Sequence, residues 1–165
     1  MIPTGKNVDK LASTLLYIAL IGLVSWGGVR IINYSLEARF YRDYLIKWDI
    51  AVMSYSVKGD SWPHFTGSNH VEYMDSLVSS MSRGGVFLPK ANTDRTYIYR
   101  IRKIVSPEEI IFVLCLQDSI ILYGISENTF ERIDSHIDGK VDKRTGKFTG
   151  KRSADGKAYV GRWRL

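Results

Sequence analysis

The stretch LASTLLYIALIGLVSWGGV, Leu11 to Val29, decides the fold of this chain. Its 19 residues carry no charge, and a helix of that length nearly matches the roughly 30 Å thickness of a bilayer's hydrocarbon core. The run is longer than the apolar region of a cleaved signal peptide, about 7–15 residues, and it leads directly into Arg30. The sequence therefore predicts a permanent transmembrane helix, with a buried helix of a soluble protein as the alternative.

The charges beside this helix do not set its orientation by themselves. Lys6 and Lys10 precede it, and Arg30 follows it. A short N-terminal tail is easily retained in the cytoplasm, whereas a long domain crosses a membrane largely regardless of its charge. We therefore predict a cytoplasmic tail at 1–10, a transmembrane helix at 11–32 in the cytoplasmic (inner) membrane, and an exported periplasmic or extracellular α+β domain at 33–165.

Length and composition bound the rest of the protein. The 165 residues allow one compact domain plus an appendage. Hydrophobic residues make up 45% and charged residues 24%, which excludes a disordered or collagen-like chain. The single cysteine, Cys115, cannot form an internal disulfide, which excludes a disulfide scaffold.

The residues after the anchor predict that the helix continues. Neither Gly nor Pro occurs between Arg30 and Gly59, and apolar side chains recur there in helical steps of three and four. This stripe consists of Tyr41, Tyr44, Leu45, Trp48, Val52 and Tyr55, whereas Glu37, Arg42, Asp43, Lys47 and Asp49 fall largely off it. We expect one helix from about Leu11 to Lys58, about 70 Å long, with its second half packed on a domain.

The remaining elements predict an α+β fold. Helices that precede the strands, instead of alternating with them, indicate a domain helix packed on an antiparallel sheet. The pair Gln117–Asp118 predicts a tight hairpin, and Ser126 predicts a helix cap. The predicted helices are 69–81 and 126–136, and the predicted strands are 96–105, 109–116, 119–125 and 158–164.

Three segments resemble type IV pilins and the pseudopilins of type II secretion. Ala19–Val24, ALIGLV, is similar to the Ala-Ile-Ile-Gly-Ile-Leu run of the pilin membrane helix, and Tyr55–Pro63 is similar to the end of the pseudopilin helix. Ile133–Gly150, IDSHIDGKVDKRTGKFTG, resembles a segment of many minor pilin-like proteins. The resemblance implies a structural or assembly role as a minor or accessory subunit. Its implied partners are membrane lipid, other pilin-like subunits, assembly proteins and further copies of itself in an oligomer or filament.

The chain departs from the family at its N-terminus. With Gly22 aligned on the family's helix glycine, Val8 stands where prepilins carry the Gly of the cleavage site. Ser13 then stands where pilins carry a Glu, which is thought to pair with a neighbouring subunit's terminal amine. We therefore expect an atypical accessory protein and not a major filament subunit. Its expected contacts with other membrane helices, helped by the close approach that glycine permits, are Leu15, Ile18, Gly22, Gly27 and Gly28.

The sequence contains no recognisable catalytic set. Cys115 lies in an apolar run and is predicted to be an inert buried thiol, and neither a Gly-x-Ser-x-Gly turn nor a phosphate loop occurs. We predict that the protein is not an enzyme and needs no cofactor.

A candidate calcium site lies near the C-terminus. Asp134, Asp138 and Asp142 are spaced at four, and the last two flank a Gly-containing turn. The resemblance implies calcium, since some pseudopilins hold it in a C-terminal loop. The loop lacks the Asp-x-Asp-x-Asp-Gly pattern that would supply enough oxygens. The alternative is that these carboxylates only shape turns.

The C-terminal segment from Gly139 to Leu165 holds nine basic and two acidic residues, although the whole chain has a net charge of only +6. Interleaved aromatic residues make this segment a candidate for binding DNA or another anion, as a membrane-tethered module. The spacing of these residues along strands is expected to spread their charges over both faces of the sheet. A solvated sheet edge, where lysines discourage pairing with the edge of another sheet, explains the basic residues equally well. The candidate anion-binding residues are Lys147, Lys151, Arg152, Arg162 and Arg164.

Overall fold

The computed structural model of the chain describes residues 5–59 and 61–165. Residues 1–4 of the predicted tail and Asp60 of the predicted helix stop lie outside these ranges. The described residues form a long helix followed by a five-stranded antiparallel sheet with two shorter helices. This arrangement confirms the predicted α+β class.

The long helix runs without a break through three segments. These are α1, Gly5–Phe40, a π-helical turn, Tyr41–Leu45, and α2, Ile46–Val57. At 1.5 Å per residue it is about 80 Å long. It ends at Val57, and Gly59 just beyond it takes a φ of +70°, so the predicted end is confirmed. Its N-terminal half is long and apolar enough to cross a membrane.

The second half of the long helix carries the core of the domain. Tyr44, Leu45, Trp48, Val52 and Tyr55 of the predicted stripe are at most 1% exposed, and Tyr41 is half-buried. The π turn was not predicted; its wider turn shifts the buried face around the helix. The prediction that Glu37 lies off the buried face is wrong, because this side chain is enclosed with Lys103.

The remaining helices are α3, His70–Arg83, and α4, Glu127–Asp138, and the strands are β1, Ile98–Ile101, β2, Glu109–Cys115, β3, Ser119–Ile125, β4, Phe148–Arg152, and β5, Tyr159–Arg164. The sheet has the strand order β1-β2-β3-β5-β4, and every neighbouring pair is antiparallel. The predicted hairpin at Gln117–Asp118 joins β2 to β3, and the Ser126 hydroxyl accepts the predicted capping bond from the Thr129 N–H at 3.2 Å.

The long helix packs on one face of this sheet. The ring of Tyr99 in β1 lies 4.6 Å from the ring of Tyr44. Helix α4 covers the same face, where the rings of Phe130 and Phe148 lie 4.9 Å apart. Helix α3 begins over the opposite face, where its His70 contacts β3. The C-terminal part of that opposite face is open to solvent.

Candidate functional site

A buried ionic cluster joins the long helix to the sheet. The ammonium of Lys103, just after β1, contacts the carboxylates of Glu37 in α1 and Glu109 in β2, and the three side chains are 5%, 5% and 8% exposed. Lys103 also donates to the hydroxyl of Thr129 in α4 at 2.9 Å, and the backbone N–H of Ser126 donates to Glu109 at 3.0 Å. One charge network therefore connects the long helix, two strands and α4.

Arg132 extends this cluster along α4. Its guanidinium lies 3.5 Å from the Glu37 carboxylate and 4.0 Å above the ring centre of Tyr34. One turn later the ring of His136 stacks on Tyr41 at 4.8 Å. A polar cleft of about 390 Å³ opens between α1 and α4 beside these contacts. The domain is thus fixed against the long helix just above the uncharged run.

The first half of α1 has no covering element among the described residues. Every side chain from residue 9 to residue 26 is exposed. Leu15 and Ile18 are 58% and 61% exposed, and a Cβ built at Gly22, Gly27 or Gly28 would meet nothing within 4 Å. At about 100° per residue, Leu15, Ile18 and Gly22 share one side, whereas Gly27 and Gly28 point to other sides. The predicted contacts with neighbouring helices therefore separate into more than one surface.

The predicted calcium ligands organise the loop that follows α4. The Asp134 carboxylate accepts a bond from the Asp142 N–H at 2.6 Å. Both oxygens of Asp138 accept backbone N–H bonds from the start of β4, at 2.9 and 2.8 Å, and both oxygens of Asp142 accept bonds within the loop. Gly146 must lack a side chain, because its φ is +106° and a Cβ would lie 2.3 Å from Asp138.

This arrangement is held together by hydrogen bonds within the protein. Five of the six carboxylate oxygens already accept hydrogen bonds, whereas Ca²⁺ takes six to eight oxygen ligands. Within residues 5–59 and 61–165, no group of three acidic, His or Cys residues is placed to hold a metal. Calcium binding at Asp134, Asp138 and Asp142 thus remains a prediction without support from the geometry.

The remaining oxygen, Oδ1 of Asp134, is buried and has no hydrogen-bond partner in the part of the chain described. Burial raises the pKa of Asp134, and the neighbouring Asp138 carboxylate adds to this effect. Burial also opposes ionisation of Asp138, but the N–H groups of Phe148 and Lys147 outweigh it and lower the pKa of Asp138. The opposite shifts favour a protonated Asp134 that donates to an ionised Asp138.

The candidate anion-binding residues divide between the two sheet faces. Lys151, Arg162 and Arg164 occupy alternate positions of β4 and β5 that face away from the long helix. Arg152 lies on the helix side, where it bonds the Tyr159 hydroxyl at 3.1 Å. The expected spread over both faces is therefore correct for Arg152, but three of the candidates share one face.

The last candidate, Lys147, precedes β4 and lies near α2. Burial raises the pKa of Asp49 in α2, and the positive charge of Lys147 is close enough to lower that pKa in part. Its backbone carbonyl accepts a bond from Arg164 at 2.8 Å. Lys147 therefore lies opposite Arg164, just before the edge strand β4.

A groove of about 620 Å³ runs across the open face. Lys151 and Arg162 line it together with Tyr123, Val160 and the loop before β4. Arg162 is paired with Asp118 at 3.1 Å, whereas no carboxylate of the described residues lies within 4 Å of Lys151. The groove thus combines an aromatic ring with positive charge.

Cys115 is fully buried, as the sequence predicted. Burial raises the pKa of its thiol well above the ordinary value, so the thiolate is disfavoured at neutral pH. This environment is typical of a structural cysteine.

Sequence reasoning missed the Lys103 cluster altogether. Its charged residues come from three separate elements, and none of them stands in a recognisable motif. The one available signal was Glu109 at the start of an otherwise apolar strand, where a charge needs a partner once it is buried.

No protein family, no curated protein and no solved structure matches this chain.

Proposed function

We propose that the protein is an accessory, pilin-like subunit of a type IV pilus or type II secretion machine, anchored in the cytoplasmic membrane with its domain exported. The observation that carries the proposal is the division of a single helix into two environments. From residue 9 to residue 26 its side chains are all exposed, while its second half supplies Trp48 and Tyr55 to the core at 0% and 1% exposure.

The uncovered half needs an apolar surrounding. Leu16, Ile21 and Leu23 are 70%, 65% and 68% exposed, and they belong to a continuous apolar surface around the helix. Soluble monomers rarely expose such a surface, since it costs free energy in water. Lipid and the helices of neighbouring subunits are the coverings that suit a helix of this length and composition.

The buried cluster supports an assembly role. A subunit that packs against its neighbours through its membrane helix holds its domain in a defined orientation only if the domain does not rotate relative to the helix. Lys103, Glu37 and Arg132 fix that orientation where the helix enters the domain. In this proposal the protein is a rigid structural subunit that acts through its contact surfaces and not through a reactive group.

The proposal is tested first by the mass and N-terminal sequence of the protein from its native membranes. We expect an intact chain, or one that lacks only Met1, because the usual cleavage glycine is absent. A chain trimmed before residue 12 with a methylated terminus would support a filament subunit. Loss of the whole run through Gly28 would mean a secreted soluble domain and would overturn the proposal.

A second test addresses the helix surface. Gly22→Leu places a large side chain on the side shared with Leu15 and Ile18, so we expect it to weaken cross-linking to neighbouring membrane proteins by tenfold or more. Ser13→Leu also replaces a small side chain by leucine, but on the opposite side of the helix, and is the matched control. Equal cross-linking of both variants would contradict lateral packing through Gly22.

The open basic face favours a second candidate function, a membrane-tethered module that binds DNA or another anion. Its support is the groove in which Lys151 and Arg162 lie beside Tyr123. Binding by phosphate neutralisation falls steeply with salt, so DNA retention should show that dependence. Lys151→Gln should reduce retention, whereas Lys157→Gln, which removes the same charge from the β4–β5 turn, should not.

A further inference from the structure

The loop between β1 and β2 projects beside the long helix and carries apolar side chains at its tip. Ile104 is 40% exposed and Val105 is 91% exposed. Val105 also has a φ of +62°, a conformation that β-branched residues rarely adopt. Because packing within the domain explains neither the exposure nor the strained backbone of Val105, this residue is a candidate for contact with a surface outside the domain.

The loop is held firmly on both sides of its tip. The side-chain amide of Asn33 in α1 accepts from the Ile104 N–H at 2.8 Å and donates to the Ile104 carbonyl at 3.1 Å. Lys103 is enclosed by the carboxylates of the buried cluster, and Arg102 bonds Glu108 across the neck of the loop at 3.0 Å. Lys103 is thereby turned into the protein, Arg102 stays exposed but is paired with Glu108, and the apolar tip faces outward.

The attachment to Asn33 fixes the height of the tip relative to the helix. Asn33 lies four residues beyond Val29, the last residue of the uncharged run, which is about 6 Å along the axis. The polar region on each side of a hydrocarbon core is of similar depth, about 5–8 Å. If α1 spans a bilayer as proposed above, the tip lies at the level of the headgroups and the adjoining acyl chains.

We propose that Ile104 and Val105 insert into the interfacial region of the bilayer that α1 spans. The occupant of this surface is lipid, because the tip is continuous with the lipid-facing helix and has the same apolar character. The inserted tip is a second contact with the membrane, at a distance from the helix axis. Because the domain is already fixed to the helix by the Lys103 cluster, a second contact away from the helix axis limits the tilt of the whole protein relative to the bilayer.

The experiment uses the full chain in vesicles of phosphatidylethanolamine and phosphatidylglycerol. An environment-sensitive fluorophore attached to the Val105→Cys variant is quenched by spin-labelled lipid if the tip inserts. Leu20→Cys, in the middle of the uncharged run, reports on the helix, and Val57→Cys, which is equally exposed at the far end of the helix, is the control outside the membrane. The unsubstituted chain gives the background from the buried Cys115.

We expect quenching at Leu20→Cys and Val105→Cys and none at Val57→Cys. Quenching at Leu20→Cys without quenching at Val105→Cys would overturn the inserted tip and leave the membrane anchor standing. Absence of quenching at all three positions would overturn the anchor as well. Ile104→Cys repeats the measurement if the Val105 variant fails to fold, so that the proposal stays testable.

Discussion

The carboxylate of Glu37 in the long helix is paired with the ammonium of Lys103, which follows the first strand, and both side chains are 5% exposed. Glu109 is buried with this pair, and Arg132 contacts Glu37 from the partly exposed margin, so two acidic groups meet two basic ones. Burial of charges costs free energy unless each one is paired. The domain therefore packs stably against the helix only while the positive and negative charges of these four groups compensate one another.

Lys103→Met is expected to lower the free energy of unfolding by about 3–5 kcal/mol at neutral pH, because it leaves the Glu37 and Glu109 charges without their common partner. The measurement is guanidinium unfolding of the full chain in detergent, followed by the fluorescence of the buried Trp48.

Glu37→Gln is the matched variant for Lys103→Met. It keeps the ion pair between Lys103 and Glu109 and should cost only about 1–3 kcal/mol. Stability of Lys103→Met equal to that of the unsubstituted chain would show that the cluster is not buried as described.

Asp134→Asn is expected to stabilise the domain at pH 7 by about 1 kcal/mol, since the amide keeps an acceptor for the Asp142 N–H and supplies a donor toward Asp138. Burial raises the pKa of Asp134 in the folded state. Stability therefore falls as the pH rises from the pKa of the group in the unfolded chain, about 4, toward its higher pKa in the folded protein. The advantage of the variant should therefore vanish as pH falls to about 4.

Asp138→Asn should behave in the opposite way. The backbone N–H groups that bond this carboxylate lower its pKa, so its contribution is present above the unfolded pKa and is lost as pH falls. The substitution should destabilise the domain at pH 7 and have little effect in acid. Thermal unfolding of both variants at several pH values is the measurement. If both substitutions changed the stability at pH 7 in the same direction, the assignment of a protonated Asp134 and an ionised Asp138 would be contradicted.

The calcium prediction has a direct test in the same loop. Because the oxygens of Asp138 and Asp142 already accept hydrogen bonds, adding millimolar CaCl₂ or a chelator should leave the thermal midpoint unchanged. A midpoint that rises with calcium in the unsubstituted chain but not in Asp142→Asn would show that the loop rearranges to hold the ion.

Local patterns in the sequence predicted the helices and most strands, because periodicity and capping act between near neighbours. The long helix, the β2–β3 hairpin and the Ser126 cap are examples. The buried Glu37 was not predictable, since its partner Lys103 reaches it only through the tertiary fold. β4 was missed because Gly150 and its basic neighbours carry no strand pattern.

The missed strand depends on a glycine pair. Gly150 lies opposite Gly161, and Cβ atoms at these positions would lie 2.2 Å from the Phe130 ring and 2.4 Å from the Phe148 ring. Both rings are fully buried and pack on each other, so neither moves aside easily. Gly150→Ala should therefore cost about 1–3 kcal/mol, as overpacked cores do.

A double-mutant cycle separates this clash from a general effect of replacing glycine in a strand. Phe130→Leu removes ring atoms from the space beside Gly150, so Gly150→Ala should cost clearly less in that background than in the unsubstituted chain. Guanidinium unfolding of the four proteins gives the coupling energy. Strict additivity would mean that the ring does not occupy the space at Gly150, and β4 would then owe its position to the carboxylate of Asp138, which bonds the N–H of Phe148 at its first residue.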